Sequence, residues 1–362
     1  MEAIDTASIL AQFEIKGLVK EIKTLGNGLI NDTYRVVTEG DAPDYVLQRI
    51  NNGIFQDVDL LQHNIDEVTA HIRRKLVASG TTDIDRKVLQ FVKARDGKTY
   101  YRDEADRYWR VSVFINDSVT HEAVTPASAR VCGKAFGNFE KMLVDVPEQL
   151  GETIPDFHNM ELRMSQLREA VKNDAAGRLD EVRDIVEELE RDAEEMCQAE
   201  RLYREGKLPK RICHCDTKVN NMLFDQQGQV LCVIDLDTVM PSFVFSDYGD
   251  FLRTGANFTA EDDPDVTKVG FNEEIFKAFT TGYLESAHEF LTPIEVEMLP
   301  YGVALFPFMQ CARFLADYLG GDTYYKIKYP THNLDRTRNQ LALYRDVRRH
   351  DQMMATFIQG LL

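Results

Sequence analysis

The chain has 362 residues, 44% hydrophobic and 28% charged, with a net charge of −18; its length exceeds what one compact unit needs and predicts two lobes. The acidity excludes wholesale binding of a nucleic-acid backbone, which needs a basic face, while leaving room for a small anion held by a few local donors and a divalent cation. No run approaches the roughly 18 apolar residues of a membrane helix, and the acidic start MEAIDTASILAQFEIKG lacks the basic and apolar regions of an export signal. Six scattered cysteines suit a reducing compartment rather than a disulfide framework, so the expected location is the cytoplasm.

Residues 18–50 predict strands joined by a glycine turn, LVKEIKTL-GNGLIND-TYRVVT and then DYVLQRI, on β-branched and aromatic content more than on strict alternation. VDLLQHNIDEVTAHIRRKLV follows, with Val58, Leu61, Ile65, Val68, Ile72 and Leu76 spaced by three or four, as on an amphipathic helix. VLQFVKA, ending at a turn near Asp96-Gly97, and TYYRDEADRYWRVSVFI predict two further strands. Five strands with one helix after the third make a small antiparallel α+β unit ending near residues 114–116. Beyond it, ARVCGKAFGNFEKML puts Cys132, Phe136, Phe139 and Leu143 on one helical face. Residues 160–205 predict a charged, solvated helical hairpin broken at KNDAAG, and residues 271–362 read as helical with aromatics at 301–325.

RICHCDTKVNNMLFD, residues 211–225, concentrates the chemistry. Cys213-His214-Cys215 does not have a zinc spacing, and no second ligand couple follows. A cysteine nucleophile needs a base and a thiolate-stabilising setting, whereas alternation makes Cys213 and Cys215 small core residues at a strand end. Phosphoryl transfer explains more of the stretch. Asn221 stands five residues after Asp216, and the apolar triplet Met222–Phe224, a turn at 225–228 and VLCVID form a hairpin that returns Asp235 beside Asn221. Transfer of a γ-phosphoryl group needs a carboxylate near the acceptor hydroxyl, with an amide oxygen and a second carboxylate on Mg²⁺.

HCDTKVNNMLFD…VLCVIDLDTVMPSFVFSDYGDFLRTGAN resembles the catalytic core of the aminoglycoside phosphotransferase and choline kinase superfamily, and within it the N-acetylhexosamine 1-kinases of bacterial amino-sugar salvage. GNGLINDTY, YVLQRIN, VFIND, GDTYYK and HNLDRTRNQL fall in the corresponding order. The resemblance implies a protein-kinase-like α+β fold of two lobes: a nucleotide-binding antiparallel-sheet lobe with one helix over 1–115, and a larger, mostly helical catalytic and sugar-binding lobe over 116–362. It implies Asp216 as general base, Asn221 and Asp235 as Mg²⁺ ligands, and Asp237 as an outer metal or substrate contact, with a turn acceptor as the alternative. His214 and Asp250 become braces of the catalytic loop. For ATP it implies Gly26, Asn27 and Gly28 over the phosphates and the backbone of Phe114-Ile115-Asn116 against adenine.

Where protein kinases read V-A-I-K, this chain reads Val46-Leu47-Gln48-Arg49, making Arg49 the candidate phosphate cation and Glu67 its partner. Sugar contacts are implied for Arg313, four residues before Asp317, and for Tyr324 or Tyr325. The implied reaction is ATP-dependent phosphorylation of the C1 hydroxyl of GlcNAc or GalNAc, with that sugar and ATP as the partners and neither nucleic acid nor membrane. Choline, homoserine, methylthioribose or an aminoglycoside stay open as acceptors, as does a non-catalytic kinase fold, which the intact acids disfavour.

Overall fold

The computed structural model describes residues 5–26 and 30–362. The chain divides into two compact units, Met1–Thr120 with Met142–Pro155 and Asn221–Met240, and His121–Lys141 with Asp156–Asn220 and Pro241–Leu362. The first unit therefore takes in two later segments, where the sequence suggested a single boundary at residue 115.

In chain order the first unit begins with α1 (Thr6–Leu10), β1 (Val19–Thr24), β2 (Asp32–Thr38), β3 (Tyr45–Ile50), α2 (Val58–Ala78), β4 (Tyr101–Arg102) and β5 (Tyr108–Val113). Then come α3 (Pro126–Leu143), α4 (Met160–Asn173), α5 (Arg183–Met196) and α6 (Gln198–Arg204). Four short strands follow, β6 (Arg211–Cys213), β7 (Met222–Phe224), β8 (Val230–Val233) and β9 (Met240–Ser242). The chain ends in α7 (Val244–Gly255), α8 (Glu273–Ala287), α9 (Pro293–Glu297), α10 (Leu299–Leu319), α11 (His332–Arg349) and α12 (Asp351–Gln359).

The antiparallel sheet of the first unit runs β1-β2-β3-β5-β4. One face buries Val36, Tyr45, Leu47, Trp109 and Val111 against Ile9, Leu10 and Phe13 of the amino-terminal segment. Residues directly opposite on paired strands share a face. Gln48 pairs with Arg110, so these polar side chains lie together on the other face, while Arg49 pairs with Trp109 and Asp32. Helix α2 starts on Asp57, whose carboxylate accepts the Leu60 N–H, and buries Val58, Leu61, Ile65, Val68 and Ile72.

Two of the expected strands differ. Residues 88–94 make only isolated bridges, Phe91 with Ser112 and Ala94 with Phe13. The run 99–115 folds back as β4 and β5 because Asp103 turns it: its carboxylate accepts the N–H groups of Ala105 and Arg107 and the Trp109 indole.

In the second unit the apolar helix α10 packs against α4, α5, α7 and α11. The predicted hairpin of 160–205 has a third helix, α6, and is only half solvated: Met164, Leu167, Ile185 and Leu189 are buried. Helices α7 and α10 meet at two glycines. A Cβ on Gly249 would lie 2.2 Å from the Gly302 carbonyl oxygen, so this crossing admits no side chain.

Candidate active site

The loop after β6 is braced by two carboxylates one turn apart on α7. Asp247 accepts the backbone N–H groups of His214 and Cys215, each at 2.7 Å, and Asp250 accepts that of Thr217 at 3.1 Å. The Thr217 hydroxyl donates to the Asp247 carbonyl at 2.6 Å. This bracing holds Cys215 at φ 63°, a left-handed backbone that a residue with a Cβ adopts only when its surroundings impose it. His214 is fully buried, edge-on to Phe136 and Phe139, and its Nδ1 accepts the Asp216 N–H at 3.3 Å. Asp250 was anticipated as a brace; Asp247 was not, although its place three residues earlier in SDYGD is the signal that could have found it.

Burial pushes the Asp247 carboxyl up to about 6, against the pull of His214 and of the two N–H donors. Burial also raises Asp250, offset by Arg253, whose guanidinium bridges Asp250 and Glu261. Asp216 is partly exposed and forms an ion pair with Lys218 at 2.6 Å. Burial works against the Lys218 ammonium, but Asp216 and Asp250 prevail and raise its pKa. Lys218 is therefore a cation at the candidate base that sequence reading passed over.

Beneath this loop, ligand atoms of Glu140, Cys213 and Asp247 lie within 4.8 Å of one another. The group does not suit a metal. Both Asp247 oxygens are committed to N–H groups, the Tyr283 hydroxyl donates to Glu140 at 2.5 Å, and burial drives the Cys213 thiol well above its ordinary value.

A second cluster of the same unit surrounds Arg313. Its guanidinium stands 5.8 Å from the Phe157 ring and 5.7 Å from the Tyr325 ring and donates to Gln310 at 3.1 Å. Among the described residues it has no carboxylate partner. Asp317, one helical turn on, accepts the N–H groups of Thr323, Tyr324 and Tyr325, shaping the loop that carries both tyrosines. Tyr324 is exposed and meets Tyr325 edge-on.

Neither His158 nor Arg163 was anticipated here. His158 stacks on Phe157, and burial, with Arg313 and Arg163 nearby and Asp216 opposing, pushes it down to about 3. Arg163 ties down the carbonyls of Asp156 and Phe157; burial, reinforced by Arg313, lowers it to about 10. Three buried polar atoms of this cluster, His158 Nδ1, Arg163 Nε and the Tyr325 hydroxyl, have no hydrogen-bond partner among the described residues. That is a costly state which a polar ligand would relieve.

In the first unit β7 and β8 pair with Met222 opposite Val233, and the Asn221 carbonyl accepts the Ile234 N–H at 2.9 Å. The hairpin thus sets Asn221 next to the end of β8, where Asp235 adopts a left-handed backbone, φ 61° and ψ 56°. Asp237 is buried and already engaged. It meets Arg110 in an ion pair at 2.5 Å and accepts from Asn31 at 2.6 Å. Arg49 reaches Asp32 at 2.6 Å, directly across the β2–β3 ladder, rather than Glu67 on α2.

Of the nucleotide loop, Gly26 is exposed at φ 69° with open space around it, while Asn27 and Gly28 lie outside the described residues. At the end of β5 the Phe114 N–H goes to the Asp44 carbonyl and the Ile115 carbonyl accepts from Ser118. Among the described residues the Phe114 carbonyl and the Asn116 N–H make no hydrogen bond within the protein. They flank Ile115, which packs with Leu231 and Cys232 and with Leu89, Leu223 and Ile234.

Residues 21–287 match the model of a family described as phosphotransferase enzymes. Among solved structures, the chain is similar to a spectinomycin phosphotransferase in complex with ADP and spectinomycin (12% identity, TM-score 0.58, covering 97% of this chain and 99% of that one). It is also similar to a choline/ethanolamine kinase family protein from Mesorhizobium loti (15%, 0.58, 98% and 97%) and to a choline kinase from Cryptosporidium parvum (14%, 0.55, 98% and 92%). At such identities these likenesses establish the fold, a kinase-like α+β arrangement with an antiparallel sheet in the smaller amino-terminal part and helices in the larger remainder. With the family match spanning most of the sequence, the chain belongs to the phosphotransferase enzyme family.

Proposed function

We propose that the protein transfers the γ-phosphoryl group of ATP to the anomeric hydroxyl of a free N-acetylhexosamine, giving the sugar 1-phosphate. The observation that carries the choice of acceptor is the cluster around Arg313. A quaternary ammonium calls for an aromatic cage and a polycation for acids; Arg163 and Arg313 repel both. A neutral sugar suits the cluster, with hydroxyl and acetamido oxygens accepting from guanidinium and a ring face lying on Tyr324 or Tyr325. The same two cations would also suit a carboxylate-bearing acceptor such as homoserine, which is the second reading.

Asp216 accepts the proton of the attacking hydroxyl and orients it, a role worth about 10²–10⁴ in rate, and Lys218 pairs with its carboxylate. The Phe114 carbonyl and Asn116 N–H offer an acceptor and a donor to the edge of adenine, over the apolar residues around Ile115. That the spectinomycin phosphotransferase neighbour was crystallised with ADP supports nucleotide use. An amide oxygen from Asn221 and a carboxylate from Asp235 are the hard donors that Mg²⁺ takes. When bound, that ion neutralises charge developing on the β- and γ-phosphates.

The test is ADP release with GlcNAc, GalNAc, homoserine, methylthioribose, choline and kanamycin, followed by phosphorus NMR of the product. Turnover with the N-acetylhexosamines and coupling of phosphorus to the anomeric proton are expected, and methyl glycosides should be inert. Coupling to the C6 methylene protons, or turnover confined to another acceptor, would overturn the assignment.

A further inference from the structure

We propose that Arg110 is a positioning residue for the metal-binding turn, fixing the backbone of Asp235 through its ion pair with Asp237. The proposal rests on the reading of Asp235 as a Mg²⁺ ligand. Arg110 is 2% exposed and projects from β5 on the polar face of the sheet. Its Nε donates to Gln48 Oε1 at 3.0 Å, and Gln48 Nε2 donates to the Thr33 hydroxyl at 3.3 Å. Its Nη2 meets Asp237 Oδ1 at 2.5 Å, and its Nη1 has no hydrogen-bond partner among the described residues. One guanidinium thereby joins strands β2, β3 and β5 to the turn Leu236–Thr238.

The turn is gripped elsewhere in the same unit as well. Asp237 Oδ2 accepts from Asn31, its carbonyl accepts the Thr153 hydroxyl at 2.9 Å, and Asn64 of α2 donates to the Val239 carbonyl at 2.9 Å. A buried ion pair is a poor way to gain stability, since two well-packed apolar residues do as well or better. What the charged pair adds is direction: it sets one backbone point relative to a rigid sheet. Asp235, two residues earlier, holds a left-handed conformation that persists only where its surroundings over-determine it. Partners that orient a ligand without touching the metal commonly govern metal affinity about 10–100-fold.

The experiment measures ADP affinity by calorimetry across a Mg²⁺ series, which requires no knowledge of the acceptor. Arg110→Met combined with Asp237→Leu removes both charges, and so avoids the unpaired buried ion that could unfold either single variant. The double variant should melt near the wild-type temperature and bind metal-free ADP normally. It should need about 10–100-fold more Mg²⁺ to reach the high-affinity state, and Arg110→Lys should fall between it and wild type. A folded double variant with the wild-type Mg²⁺ dependence overturns the positioning role. Asp235→Asn separates the two layers: if it too leaves the Mg²⁺ dependence unchanged, the metal assignment itself is wrong. If Asp235→Asn shifts the dependence and the double variant does not, only the role of Arg110 fails.

Discussion

Asp216 follows Cys215, held at a left-handed backbone, and pairs with Lys218 two positions on. Asp216→Asn keeps the loop but cannot take the acceptor proton, so turnover should drop by about 10²–10⁴ while ADP affinity stays near wild type. Steady-state kinetics beside calorimetry check this, and activity within twofold of wild type would remove Asp216 from the mechanism. Asp247 makes a different prediction. It titrates near 6 in the folded chain against about 3.9 when unfolded. Between those values the folded state holds a proton that the unfolded state has lost. Its contribution to stability is therefore full below about pH 4 and declines as pH rises to 6, by about 3 kcal/mol in all. Urea midpoints from pH 4 to 7 should show a flatter dependence for Asp247→Asn; the same slope in both proteins would refute the assignment. The hairpin that sets Asn221 next to the end of β8 was legible because its strands and turn are local in the sequence. The side of the strand that Arg49 takes, where it pairs with Asp32, was not legible because a one-residue offset changes the face of a strand and the alternation is only partial. Arg110 stayed hidden inside a run read as one long strand.

Among the elements, helix periodicity proved the most readable pattern. Cys132, Phe136, Phe139 and Leu143 of α3 are all buried, as are the apolar positions of α2 through Ile72. The strands were harder to read. Residues 88–94 have strand-like composition, yet their bridges go to Phe13 and Ser112, partners far apart in the sequence, and no local pattern announces them. Close helix crossings are equally invisible, because glycine in a helical run reads only as a weak position. The α7–α10 crossing gives the test. Gly249→Ala drives a methyl into the Gly302 carbonyl and should cost about 1–3 kcal/mol or more. Gly177→Ala meets open space at φ 66° and should cost about 1–2 kcal/mol for its left-handed backbone alone. Denaturant midpoints compare the two, and a Gly249 variant no weaker than the Gly177 variant would contradict so close a crossing.

For the molecule as a whole, charge is distributed against the average. The chain carries 60 acidic residues and a net charge of −18, yet Arg163 and Arg313 share a cluster in which, among the described residues, neither meets a carboxylate. Arg313→Ala should raise the acceptor KM by about 10–100-fold, the equivalent of about 1–3 kcal/mol for a buried polar group deprived of its partner, with ADP affinity unchanged. An unaltered acceptor KM would remove it from the site. The change from strand-like to helical patterning could be read along the chain, but not the return of residues 221–240 to the first unit, because that depends on Leu231 and Cys232 packing with Ile115. The cysteines carry a last consequence at this scale. All six are free thiols, five of them buried and Cys197 half-buried. Burial pushes Cys132 and Cys232 up to about 12 and Cys197 to about 11. A thiol-specific reagent should therefore modify at most Cys197 while the chain stays folded, and reach the other five only when it opens. The rate at which those five react then becomes a clock for unfolding under native conditions, one that needs no engineered probe and lengthens when any bound ligand stabilises the folded form.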